Sequence, residues 1–157
     1  MHKEHTEGDI KVLFYRLPGN DDLNLPQYMS SQAAGMDLAA AVEGECTIAP
    51  HKRVLIPTGF AVQLPSGFEA QIRPRSGLAL QKGLTVLNSP GTIDADYRGE
   101  IKVILVNMDS ASQMIRRGER IAQMVISRVI KAAVVEVDEL EATRRGSNGF
   151  GSTDDRR

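Results

Sequence analysis

Residues 84–107 read LTVLNSPGTIDADYRGEIKVILVN. The runs Leu84–Asn88 and Glu100–Asn107 are dominated by Leu, Val and Ile, types that suit a pleated surface. Between them, Ser89-Pro90-Gly91 and Asp94-Ala95-Asp96 are turn formers. A strand, a turn-rich connection and a returning strand make a hairpin, and this segment predicts one. Glu100–Asn107 begins with alternation and then becomes apolar on both faces. Such a strand needs a second layer, or another subunit, over each face.

The same pattern extends outward in both directions. Ile10–Leu17, Gly35–Ala41, Glu45–Ala49, Gly67–Pro74, Arg120–Val129 and Ala132–Val137 each read as a strand. Arg53–Leu64 reads as two, broken at Pro57-Thr58-Gly59. Short strands at this spacing predict an all-β sandwich or barrel. Ser76–Gly83 (SGLALQKG) departs from it and predicts one or two helical turns. Asp138–Arg145 (DELEATRR) is too short and too charged for an independent helix. The apolar pattern stops near Leu140, which divides a β-barrel domain over residues 1–140 from a flexible glycine-rich arm over 141–157.

Composition narrows the function. The 157 residues carry a formal net charge of −1, which argues against a general nucleic-acid binder but not against a small anion. The single cysteine, Cys46, cannot form an internal disulfide and reads as a small buried apolar residue. No Cys/His cluster has metal-ligand spacing, and His2, His5 and His51 read as solvated. The N-terminus lacks the apolar core of a signal peptide, and no apolar run approaches membrane-spanning length. A cytoplasmic protein without membrane or nucleic-acid partners is the expectation.

Five features carry candidate chemistry. In the hairpin, Asp94 and Asp96 taken alone read as ordinary turn aspartates. A carboxylate beside a bound phosphate also accepts a proton from water, and the nearby Tyr97 offers a flat wall with a polar tip for a sugar. In RPRSGLAL (residues 73–80), Ser76-Gly77 opens the short helix, either as a simple N-cap or as a phosphate site that Arg75 completes. Asp37 sits in an otherwise apolar strand, and Gln123 in another, where a buried amide must find partners or cost about 1–3 kcal/mol. The end, RRGSNGFGSTDDRR, combines arginines, hydroxyls and loose glycines around Phe150, a composition that suits an anion and a stacked base.

Taken in order, AGMDLAA, PRSGLAL, GTIDADYRGEI, RIAQMVI and RGSNGFGST resemble the five motifs of the trimeric deoxyuridine triphosphatases, or dUTP diphosphatases, from about Ala34 to Thr153. The resemblance implies a jelly-roll-like β-barrel with one short helix, a homotrimer with active sites shared between subunits, and Mg²⁺-assisted hydrolysis of dUTP to dUMP and pyrophosphate. Such a reaction removes dUTP and supplies dUMP for thymidylate synthesis. By the same resemblance Asp94 is the general base, and Asn88 with the hairpin backbone reads uracil. Tyr97 packs on the deoxyribose and leaves no room for a 2′-hydroxyl. Thr92 and Ile93 line the nucleoside pocket, with Lys102 on the strand beyond. Arg75, Ser76 and Gly77 meet the phosphates, and Gln123 lies near the α-phosphate and the water. Arg145, Phe150, Gly151, Ser152 and Thr153 close over the nucleotide from a neighbouring subunit. The metal rides on the triphosphate, with Asp37 acting through water.

Two departures touch the arm. Asn148 stands where the family more often has glycine, and Asp154 and Asp155 bring negative charge toward a triphosphate. The rival readings are a dCTP deaminase of the same fold and a non-catalytic nucleotide-binding barrel. A deaminase places a catalytic glutamate on the strand after the hairpin, and here that strand has no acid beyond Glu100.

Overall fold

A computed structural model describes residues 10–149. Its strands are β1 (Leu13–Arg16), β2 (Gln27–Tyr28), β3 (Met36–Ala39), β4 (Glu45–Ile48), β5 (Arg53–Gln63), β6 (Phe68–Arg73), β7 (Leu84–Val86), β8 (Gly91–Ile93), β9 (Glu100–Asn107), β10 (Gln113–Arg116) and β11 (Arg120–Arg128). One helix, α1 (Ser76–Lys82), lies between β6 and β7. Every strand pairing is antiparallel. One sheet runs β1-β5-β9-β7, a second runs β2-β3-β11-β6-β8, and β10-β4 form a ribbon.

The fold is the expected jelly-roll-like barrel, and its sheets enclose one core without closing into a cylinder. Leu38, Ile56, Ile72, Leu84, Val103, Ile115 and Ile121 come from seven different strands and meet in a single apolar cluster. Leu105 and Ile121 are fully enclosed, and truncating such a side chain to alanine costs about 2–5 kcal/mol. Asn107 is also fully buried. Its Nδ2 donates to the Ile48 and Ala111 carbonyls at 2.9 and 2.8 Å, and its Oδ1 accepts from the Asp109 N–H, so the amide is satisfied where it is enclosed.

Several sequence expectations need correcting. Arg53–Gln63 is one strand, because the pairing of β5 with β9 absorbs the Pro57–Gly59 break as a register shift. Gly59, at φ +77°, permits that irregularity. The segment between β7 and β9 is not a plain hairpin. β7 pairs with β9, but β8 leaves for the other sheet and pairs with β6. Ser76 is the first helical residue and not the N-cap; Arg75 holds that position without a side-chain cap. Residues 132–137 form no strand and are exposed, since the described chain offers them no partner strand. Cys46 is half-buried and packs on the core edge.

Candidate active site

The connection from β8 to β9 forms the first half of the site. The Tyr97 N–H donates to the Asp94 carbonyl at 3.1 Å, closing a turn. Arg98 Nη1 donates to the Ala95 and Tyr97 carbonyls and fixes the turn's outer side. A cavity of about 310 Å³ opens beside it, lined by Leu55, Thr92, Ile93, Asp94, Tyr97, Glu100, Ile101 and Lys102. The antiparallel pairing of β5 and β9 brings Leu55 to this cavity's rim. Asp94 is exposed, and among the described residues its carboxylate makes no hydrogen bond or ion pair. Glu100, in contrast, is engaged. It accepts from the Gly59 N–H at 2.9 Å and lies 3.7 Å from Lys102 Nζ.

The second half is built across β3, β11 and β6. Register sets Gln123 opposite Asp37 on one side and Arg73 on the other. Gln123 Nε2 donates to the Pro74 carbonyl at 2.9 Å, which supplies the partner its amide needs. The Asp37 carboxylate, 15% exposed, takes Arg75 Nε at 3.2 Å on one oxygen and Arg120 Nη1 at 2.9 Å on the other. Arg75 Nη1 also donates to the Arg120 carbonyl at 3.0 Å. Two guanidiniums and one carboxylate leave a net positive, pre-positioned cluster. Ser76 and Gly77 lie exposed next to it in sequence. Asp37 and Arg120 also border a second cavity of about 310 Å³, along with Asp22, Leu25, Gln27 and Met29.

Thr92, Ile93, Asp94, Tyr97 and Lys102 therefore share one cavity. Arg75, Gln123 and Asp37 share a different cluster that does not line it. Asn88 is exposed and does not line the first cavity; its side chain lies against Gly91, next to Thr92 in sequence. Arg145 is exposed, and its Nε donates to the Asn148 carbonyl at 2.9 Å. Phe150, Gly151, Ser152 and Thr153 lie outside the described residues. Sequence reasoning missed Arg120, since a basic residue at the start of a strand carries no signal, and only the β11–β3 pairing brings it to Asp37.

The donor set fits a divalent metal carried by a ligand better than one held by the protein. Among the described residues no three His, Cys, Asp or Glu side chains converge, and Asp37 is already taken by two arginines. No described helix is long and apolar enough to cross a membrane.

The chain is similar to known proteins over most of its length. The dUTPase family model matches residues 21–154. A deoxyuridine 5'-triphosphate nucleotidohydrolase of Rhizobium etli (strain CIAT 652) is 56% identical over 151 residues, covering 95% of this chain and 97% of its own. One from Caldanaerobacter subterraneus is 58% identical over 132 residues, covering 84% and 89%. Among solved structures, the dUTPase of Staphylococcus bacteriophage 80alpha, described with dUPNHPP, superposes with a TM-score of 0.81 at 26% identity, covering 90% of this chain and 97% of that one. The chain belongs to the dUTPase family.

Proposed function

We propose that the protein hydrolyses dUTP to dUMP and pyrophosphate, with Asp94 as the base. The observation that carries this reading is a carboxylate, unengaged among the described residues, on a cavity also lined by Tyr97 and Ile93. The cavity takes the nucleoside, and Tyr97 faces the deoxyribose where a 2′-hydroxyl has no room. Asn88 and nearby backbone groups read the uracil edge. Asp94 takes a proton from a water whose oxygen attacks the α-phosphorus. The bond from that phosphorus to the bridging oxygen breaks, and pyrophosphate leaves. Arg75, Ser76 and Gly77 hold the phosphate oxygens, and Gln123 orients the water and the α-phosphate. When bound with the triphosphate, Mg²⁺ supplies positive charge against the oxygens where negative charge builds. Asp37 contributes by holding Arg75 and by hydrogen bonds through water.

The active unit in this reading is a homotrimer. The nucleoside cavity and the arginine cluster are separate within one chain, so a neighbour's cluster completes each cavity. Residues 130–140 support an assembly: Ile130 is 95% exposed, Val134 97% and Leu140 88%, an apolar run that a second copy would cover. Arg145 and residues 150–153 then close over the nucleotide as an arm and exclude water. A cytoplasmic setting, with thymidylate synthesis as the consumer of dUMP, belongs to the same reading.

Asp94→Asn tests the role of the base. It is expected to bind dUTP as the unaltered protein does while turnover falls about 10²–10⁴-fold. Near-normal hydrolysis by this variant would remove Asp94 from the mechanism.

A further inference from the structure

Gly44 and Gly67 owe their identity to the backbone: their φ angles are +73° and +84°, and a Cβ on either would meet nothing within 4 Å. Gly99 is the opposite case. Its φ lies outside the left-handed region, so an L-residue fits its backbone without strain. A Cβ there would lie 2.3 Å from Tyr97 Oη, 2.5 Å from Cζ and 2.9 Å from Cε2. The tyrosine hydroxyl reaches past this point and donates to the Glu100 carbonyl at 3.1 Å. Tyr97 as a residue is 45% exposed and lines the nucleoside cavity, so surrounding packing does little to hold its rotamer. The empty Cβ position at Gly99 and one hydrogen bond set it instead.

We propose that Gly99 is a positioning residue for Tyr97. Its missing side chain lets the ring lie back over the turn, which sets the width of the nucleoside cavity and hence the preference for 2′-deoxyribose over ribose. The inference rests on the proposed reading of that cavity. A methyl group at Gly99 ejects the ring and breaks its bond to the Glu100 carbonyl. Because the displaced group is the far end of an exposed side chain, the consequence falls on specificity and not on folding.

The test combines kinetics with a readout that needs no nucleotide. Pyrophosphate release from dUTP and UTP is measured for the unaltered protein, Gly99→Ala, Tyr97→Ala and the double variant. Gly99→Ala is expected to lose about 10–100-fold in kcat/KM for dUTP, mainly through KM, and about 10-fold in the dUTP/UTP ratio. In the Tyr97→Ala background the same substitution is expected to change nothing further. Fluorotyrosine labelling gives three ¹⁹F signals, from Tyr15, Tyr28 and Tyr97; only that of Tyr97 is expected to shift in Gly99→Ala. An unmoved Tyr97 signal with an unchanged dUTP/UTP ratio would overturn the proposal, as would an equal loss in both backgrounds. If the unaltered protein failed to hydrolyse dUTP, the reading of the cavity would fall, while the NMR arm would still decide whether Gly99 places Tyr97.

Discussion

At the scale of single residues, the site depends on what is left empty as much as on what is present. Gly35 is buried, its φ is not left-handed, and a Cβ there would fall 2.6 Å from Gln123 Oε1 and 3.2 Å from Gln123 Cβ. Gln123 can therefore lie flat against β3 and give its amide N–H to the Pro74 carbonyl. Gly35→Ala is expected to swing that amide away and cost about 10–100-fold in turnover, with the chain still folded; steady-state kinetics beside a melting curve check it. Asp94 follows the same economy. Glu100, a few residues on, is occupied by the Gly59 N–H and lies near Lys102, whereas the Asp94 carboxylate has no partner among the described residues.

At the scale of elements, the sequence pattern located most strands but not their partners. The all-β class, the helix at Ser76–Lys82 and the strands around Asp37, Arg73 and Gln123 were legible, because alternation and turn residues are local signals. β2, β8 and β10 were not, being two to four residues long and set by their neighbours. The departure of β8 to the second sheet depends on long-range pairing with β6. For the site, Asp94, Tyr97 and Thr92 could be grouped from one motif, while the Asp37–Arg120 pair required the β3–β11 register. The loop before β2 shows how tertiary contacts fix an irregular element. Arg117 grips Asp22 through two bonds of 2.7 and 2.8 Å and also donates to the Gly19 carbonyl and the Asn20 side chain. Arg16 donates to the Asn20 carbonyl at 2.6 Å and to that of Leu23. The hydrogen bonds from Arg117 hold the Asp22 carboxyl below its ordinary value of 3.8. A depressed folded-state value means that the stabilisation is complete above 3.8 and fades as pH falls through the folded value. Asp22→Asn is thus expected to lower Tm slightly near about pH 7, and the gap is expected to close in strong acid, where Asp22 is itself protonated. Melting curves across that range check both ends.

At the scale of the whole molecule, one chain holds the cavity beside Asp94 and the arginine cluster at Asp37 as separate groups, and among the described residues Ile130, Val134 and Leu140 are exposed. If sites are shared, Asp94→Asn and Arg75→Ala chains complement each other. Each variant alone is expected to be nearly inactive. Co-refolded at equal amounts, random assortment gives about a quarter of sites an intact Asp94 from one chain and an intact Arg75 from its neighbour. Recovery of about a quarter of normal activity is expected, and no recovery would put both residues in the same subunit's site. The central claim is that the cavity beside Asp94 selects a deoxyuridine triphosphate for hydrolysis at its α-phosphorus. Pyrophosphate release from dUTP, UTP, dTTP and dCTP, measured side by side with Mg²⁺ present, tests it most directly. The account predicts rapid release from dUTP and at least about 10²-fold less from each of the others; comparable release from UTP or dCTP, or none from dUTP, would contradict it.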